Sequence, residues 1–264
     1  MSIIMSNVKN IQRNNKTVKQ IEYNGNIIWK KGSTKRFSQL DYIDIASGSY
    51  CDLESGLITT SGTKIAYTGQ FIYYALDCIF NLDNTPLSSG QSQLFGALVN
   101  SGGYQRYHMF YTSAGNTVAY SGTNTQTVMT GIDLTQRHLF ELNGTDNKVY
   151  VDSVDKGTFL PPSYTFTTFA LNGRWFDPNY QASAFKGRYY GIDKKYISNE
   201  GHVSSLYLNK FVPAIDHANN DAVVLVQIYK DVNSNMQFYK VHNITGTATA
   251  GTVVDNNPSW SPDL

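Results

Sequence analysis

Charge is scarce in this chain. Asp, Glu, Lys and Arg make up 16% of its 264 residues, against about 25% in an average soluble domain. The 21 Lys and Arg nearly cancel the 20 Asp and Glu, leaving a formal net charge of +1. With the basic residues spread along the chain, there is no concentrated positive field of the kind nucleic acid requires. The densest basic run, Lys30, Lys31, Lys35 and Arg36, reads as a solvated linker. Cysteine is scarcer still. Cys51 and Cys78 form no metal-binding pattern, and two free thiols is the preferred reading. No run reaches the ~18 apolar residues of a membrane helix, so no membrane insertion is expected. The first residues, MSIIMSNVKN, lack the basic start and long apolar core of a signal peptide. The expectation is synthesis in a cytoplasm, with any exit by a route that needs no signal.

Helical patterning is also missing. From Phe37 to about Ala250 no stretch of ten or more residues combines a cap with helical spacing, although one helical turn around His202 to Leu208 is allowed. What is abundant instead is Tyr (19), with 13 Phe and 21 Gly. Strand-like runs recur at Leu40–Ile45, Lys64–Tyr67, Phe71–Leu82, Gln93–Leu98, Tyr107–Tyr111, Thr117–Tyr120, Leu139–Leu142 and Lys148–Asp152. They continue at Phe166–Leu171, Gly187–Ile197, Ala222–Ile228 and Gln237–Val241. Turn-forming clusters separate them, which predicts an all-β, two-sheet antiparallel sandwich. The centre of the pattern is Gln136 to Phe159. Two apolar runs there flank Asn143-Gly-Thr-Asp-Asn147, and a second turn is expected from Ser153 to Gly157, giving a meander of three strands.

The first 36 residues read as a separate unit. Thr17–Tyr23, Asn24-Gly25 and Asn26–Lys30 are a strand, a type I′ turn and a strand. Ile21, Tyr23, Ile27 and Trp29 present more apolar surface than an isolated hairpin can cover. These four are expected to mediate attachment or oligomerisation. The organisation predicted is a hairpin and linker at 1–36, a β-sandwich at 37–254 and a tail at 255–264.

Chemistry sorts the candidate sites. A retaining glycosidase needs two carboxyls about 5 Å apart. Neither Asp41 with Asp44, Asp52 with Glu54, nor Asp152 with Asp155 repeats a Glu-x-Asp-x-x-Glu strand. His108, His138, His202, His217 and His242 lie beside no Gly-x-Ser-x-Gly elbow and read as loop or sheet-surface residues. The oxygen-rich run Asp216 to Asp221 reads as a turn in preference to a Ca²⁺ loop. No catalytic residue, metal or cofactor is expected, and the protein reads as non-enzymatic. Saccharide binding needs an aromatic platform and planar polar groups. Two predicted loops supply them: Arg174, Trp175, Asp177, Asn179, Tyr180 and Gln181 in one, and Tyr104, Arg106 and Tyr107 in the other.

Three passages resemble one known family. Phe37-Ser-Gln-Leu-Asp-Tyr-Ile-Asp-Ile-Ala-Ser-Gly-Ser-Tyr50 is similar to the opening strand of concanavalin A-like (laminin G-like) lectin domains of bacteriophage tail proteins. The Leu139–Asp152 hairpin resembles their central signature ending in VYVD. Phe185 to Ile192, Phe211 to Ala214, Val223 to Leu225 and Gln237 to Lys240 resemble their closing strands. In one departure, Asn220 to Asp231 is longer than the corresponding family segment. The N-terminal hairpin is similar to short docking pieces of siphophage tail and baseplate proteins. The resemblance implies a concanavalin A-like jelly roll and a tail receptor-binding protein of the virion. It also implies a homotrimer attached to baseplate or tail proteins through its N-terminal segment, with host cell-wall polysaccharide as its partner. A purely structural particle protein is the alternative, and a glycan hydrolase a lesser one.

Overall fold

The computed structural model describes residues 12–13, 16–17, 20–23, 26–30, 36–53, 57–58, 64–65, 71–86, 92–101, 104–113, 117–121, 126–143, 146–158, 170–176, 179–197, 207–231 and 237–255. Side chains are described within 36–53, 75–86, 129–143, 146–158, 170–173, 182–192, 210–228 and 239–254. Among the described residues there is no helix, and every strand pairing is antiparallel. Contacts divide the chain into two units, Met1–Arg36 with Ser261–Leu264, and Phe37–Trp260.

In the smaller unit, Gln20–Tyr23 pairs with Asn26–Lys30, placing Ile21 opposite Trp29 and Tyr23 opposite Asn26 across a two-residue connection. Thr17 does not extend this hairpin. It belongs to Lys16–Thr17, which pairs with Gln12–Arg13.

The larger unit is built on a meander that the sequence places at its centre. Arg137–Asn143, Lys148–Val151 and Val154–Thr158 pair in succession. The second turn differs from expectation. It is the pair Asp152-Ser153, both at positive φ (51° and 66°), so the next strand begins at Val154. A two-residue hairpin loop of type I′ needs positive φ at both positions, and Asp tolerates it through local hydrogen bonds. Here the Asp152 carboxylate accepts from the Leu139 N–H at 2.8 Å and meets Nδ1 of His138 at 2.6 Å.

From this meander the sheet continues through Phe71–Ile79, Gly187–Ile197, Tyr207–Asp216, Ala222–Asp231 and Gln237–Thr245. Tyr207–Asp216 overrides the helical turn allowed at His202 to Leu208: residues 207 and 208 are strand, and the preceding ones lie outside the described residues. Pro213 obscures this strand in the sequence. It falls where one neighbour changes, after the Ile192–Phe211 rung and before Ala214–Gln39, so no rung is lost on that side. There the strands 187–197 and 207–216 diverge. A ribbon fills the fork, with Ile43–Ile45 against Gly187–Tyr189 and Phe37–Leu40 against Ala214–Asp216. Ala248–Ala250 and Val253–Asp255 pair along that ribbon.

A second run of pairings joins Gln126–Met129, Thr117–Ser121, Tyr104–Ser113, Ser92–Ser101, Ala170–Leu171 and Tyr50–Asp52. It meets the first at one strand. Val241 to Asn243 pair with the Ala222–Asp231 strand, whereas Ile244 and Thr245 pair with Cys51 and Tyr50. The result is a continuous antiparallel, sandwich-like sheet that turns back on itself without closing into a barrel.

Alternation along the strands fills the interior. Leu76, Cys78, Phe140, Leu142, Val149, Val151, Tyr189 and Ile192 join Ile43, Ile45, Cys51 and Leu171 in one buried cluster. Leu225 joins it too, while Val224, Val226 and Ile228 belong to a second cluster with Phe37, Val212 and Ala214. The middle of the Ala222–Asp231 strand, Val224 to Ile228, is therefore buried on both faces, which accounts for the unbroken Val-Leu-Val run there. Both thiols are free and buried, and burial pushes their pKa values up.

One polar group crosses this interior. Tyr189 is fully buried and donates its hydroxyl to Oδ1 of Asn172 at 2.6 Å. Asn172, also fully buried and at φ 57°, donates through Nδ2 to the carbonyls of Ser49 (2.8 Å) and Ala46 (3.2 Å). Its own carbonyl accepts from Ser183 N–H, and the Ser183 carbonyl accepts from Gly48 N–H. Gly187 makes room for the ring: a Cβ there would lie 2.2 Å from the Tyr189 hydroxyl.

Tyr189→Phe removes the buried hydrogen bond to Asn172 Oδ1 and is expected to lower stability by about 1 kcal/mol. Urea denaturation reads this directly, and an unchanged midpoint refutes the account. Asp152 gives an acid-limb prediction. Burial raises its pKa, but hydrogen bonds from His138 and the Leu139 N–H, with the nearby imidazole, outweigh that and hold it below the usual value. Its contribution is thus fully present above the unfolded carboxyl pKa of about 3.9 and is lost as pH falls through the folded value. In Asp152→Asn the fall in stability on acidification should be shallower than in the parent.

Candidate functional site

The described residues among those expected to bind saccharide lie on strands where the sequence suggested loops. Gly173–Phe176 and Asn179–Ala182 form a hairpin in which Arg174 faces Gln181, Trp175 faces Tyr180, and Phe176 faces Asn179. Asp177 lies outside the described residues. Tyr104, Arg106 and Tyr107 all lie on Tyr104–Ser113, registered with Ser101, Val99 and Leu98. The side chains of these residues, and of Ile21, Tyr23, Ile27 and Trp29, are outside the described set.

Among the described residues, the densest arrangement suited to ligand contact is on the solvent side of the first sheet. The rungs Thr249–Asp44, Asp44–Arg188, Arg188–Ile79 and Ile79–Arg137 form one line across the strands. Arg188 grips Asp44 in a two-pronged bond, Nε to Oδ1 at 2.6 Å and Nη2 to Oδ2 at 3.0 Å. Its guanidinium carbon lies 3.7 Å from the centre of the Tyr42 ring. Lys186 Nζ stands 3.4 Å from the same carboxylate, whose side chain is only 8% exposed.

Two strands away, the pattern repeats. Arg137 binds Asp77 through Nε at 2.8 Å and Nη2 at 2.6 Å, and lies 3.7 Å from the centre of the Tyr190 ring. Tyr190 and Tyr42 meet edge to face at 5.7 Å, closing the row. Hydrogen bonding to the carboxylates pushes both guanidinium pKa values further up, so both charges are permanent.

A β-bulge sets up the row. Opposite Asp77 and Cys78 the partners are Gly191 and Tyr189, which leaves Tyr190 as the extra residue. A bulge re-aims a side chain and shifts the alternation. Tyr189 and Ile192 both reach the core, and Tyr190 stands between the two arginines. The row combines aromatic rings with planar donors and acceptors, the two requirements for hydroxyl-rich ligands. On the meander, Tyr150 donates to Asp146 at 2.5 Å and Lys148 pairs with Asp155.

The acidic pairs singled out in the sequence are held apart by different partners. Asp41 accepts from the N–H groups of Tyr42 (2.8 Å) and Thr252 (2.7 Å), Asp44 holds Arg188, and Asp155 holds Lys148. Glu54 is outside the described residues. Among the described residues no group of three or more His, Cys, Asp or Glu is arranged to hold a metal ion.

Of the histidines, His138 has Nδ1 on Asp152 and Nε2 2.9 Å from the Asp133 carbonyl, so both nitrogens are engaged. His242 is buried between the Asp52 carbonyl (3.1 Å) and Gln227 Oε1 (2.7 Å). His217 is different. Its Nδ1 lies 2.6 Å from Asp221 Oδ1 and its Nε2 lies 2.7 Å from the hydroxyl of Ser38. Sequence reasoning missed this alignment because Ser38 and His217 are 179 positions apart, with no motif around either. No protein-family profile, curated protein or solved structure matches the chain.

Arg188→Ala strips the half-buried two-pronged bond from Asp44, whose remaining cation among the described residues is Lys186. The expected loss is about 2 kcal/mol, the scale of charge-assisted hydrogen bonds. A loss below about 0.5 kcal/mol in chemical denaturation would class the pair with exposed, solvent-screened bridges.

Proposed function

We propose that this chain is a glycan-recognition protein of a bacteriophage tail whose saccharide-binding site is non-catalytic. In this reading the larger unit is a concanavalin A-like jelly roll directed at host cell-wall polysaccharide. The 1–36 hairpin is the attachment segment of a homotrimer. The observation that carries the binding part is the solvent-side row in which Tyr42 and Tyr190 alternate with Arg188 and Arg137. The all-antiparallel sheet, the low charge and the resemblance of the opening, central and closing strands support the rest. The 173–182 hairpin, bearing Arg174, Trp175, Tyr180 and Gln181, is the second candidate platform. Individual sugar contacts in such a site are weak, and several copies of the site raise the overall avidity.

One observation favours the alternative, a structural particle protein. Each guanidinium in the row is already matched to a carboxylate and a ring within the sheet. Calorimetric titration of the full chain with purified cell-wall polysaccharide, against polysaccharide from an unrelated strain, separates the two. Saturable binding is expected. Tyr190→Ala should weaken it about tenfold, or 1.4 kcal/mol, if the row is the platform, and Trp175→Ala should do so if the hairpin is. No binding to any tested wall polysaccharide leaves the structural role.

A further inference from the structure

We propose that Ser38, His217 and Asp221 form a second site: a serine nucleophile that accepts the acyl group of short-chain carboxylic esters. This is independent of the glycan-binding reading. The three side chains are aligned as hydroxyl, imidazole and carboxylate, with contacts of 2.7 Å from Ser38 Oγ to Nε2 and 2.6 Å from Nδ1 to Asp221 Oδ1. The carboxylate fixes the tautomer. With Nδ1–H donated to Asp221, Nε2 carries the lone pair and accepts the Ser38 O–H, which is the arrangement a general base requires.

Two elements of the fold hold the three members. Ser38 lies on Phe37–Leu40, opposite Ile215. His217 and Asp221 bracket the turn joining Tyr207–Asp216 to Ala222–Asp231. That turn is pinned from below by Asp216, 1% exposed, whose Oδ1 accepts from Ala218 N–H at 3.1 Å and whose carbonyl accepts from Asn219 N–H. Asn220 and Asp221 both sit at positive φ, 51° and 57°. Such conformations are unfavourable for side chains other than glycine, though Asn and Asp tolerate them best. An exposed His–Asp pair in a turn contributes little to stability, and pinning the turn does not call for a hydroxyl in line with its far nitrogen.

The chemistry balances without a cofactor. Ser38 Oγ attacks the ester carbonyl carbon while its proton passes to His217 Nε2, and Asp221 stabilises the imidazolium at Nδ1. Collapse of the tetrahedral intermediate breaks the bond to the leaving alkoxide, which takes the proton back from Nε2. Water then attacks acyl-Ser38 with His217 again as base, releasing a carboxylic acid and restoring the hydroxyl.

Exposure sets both scope and speed. The His217 side chain is 37% exposed and that of Asp221 73%, so the alcohol portion of the ester can be part of a large molecule. Water also weakens the electrostatic assistance, which makes turnover slow compared with an enclosed triad.

The test is fluorophosphonate labelling of the full chain, with peptide mass spectrometry to find the modified serine. Ser47, an exposed-region serine whose hydroxyl is donated to the Ala184 carbonyl, is the internal reference. Ser38 should be labelled far ahead of Ser47, with the preference abolished by heat denaturation. His217→Gln should slow Ser38 labelling about a hundredfold, the low end for removing a general base, and Asp221→Asn should slow it less. In parallel, p-nitrophenyl acetate hydrolysis by the parent should exceed that of Ser38→Ala. Equal labelling of Ser38 and Ser47 in the native chain, or a rate unchanged in a folded His217→Gln variant, overturns the proposal.

Discussion

The larger unit depends on a hydrogen bond in a place where water cannot substitute for it. Tyr189 comes from the first run of strands, and Asn172 follows the short Ala170–Leu171 strand of the second. Their contact, extended to the carbonyls of Ala46 and Ser49, ties the corner at residues 46–49 to both. Buried amide and hydroxyl groups are expensive unless each finds a partner, and here every link in the chain has one. That requirement singles out one arrangement among the many that apolar side chains alone would tolerate. It also explains the unusual local choices nearby: Asn172 at positive φ, and Gly187 beneath the tyrosine ring.

The same strand serves both surfaces of the sheet. Tyr189 faces inward and Tyr190 outward, and the bulge between them and Ile192 keeps the core filled while changing the parity. A single inserted residue thereby couples the internal tie to the external row of rings and guanidiniums. The row is electrostatically closed upon itself, so any ligand must compete with bonds already formed or use the ring edges and exposed guanidinium nitrogens. Arg137, 56% exposed, is more available than Arg188, 24% exposed.

Local structure was legible where alternation and turn chemistry agreed. Leu139 to Leu142 and Lys148 to Asp152 read as strands because β-branched and aromatic residues stand between Asn-, Gly- and Asp-rich turns, although the second ends at Val151. The strand at Tyr207–Asp216 was harder to place, since Pro213 mimics a boundary, and only the switch of neighbours makes it acceptable. The hairpin containing Trp175 read as a loop because polar residues on short paired strands hide the period of two. Neither solvent-side arrangement could be found from spacing. Asp44 and Arg188 are 144 positions apart, and which of many carboxylates meets which arginine is decided by strand order, not by any local pattern.

The pairing of Gln39 with Asp255 and of Leu40 with Val253 brings the two ends of the sheet-forming chain side by side, pointing the same way. Tension applied to both ends would load these rungs singly and in sequence, as in opening a zipper, whereas strands with ends at opposite poles resist in shear with all rungs at once. The unit is therefore mechanically soft at this seam. The first piece to peel away is Val253–Asp255, which pairs only with the ribbon, whereas the ribbon itself is also held by the strands of Tyr189 and Ala214.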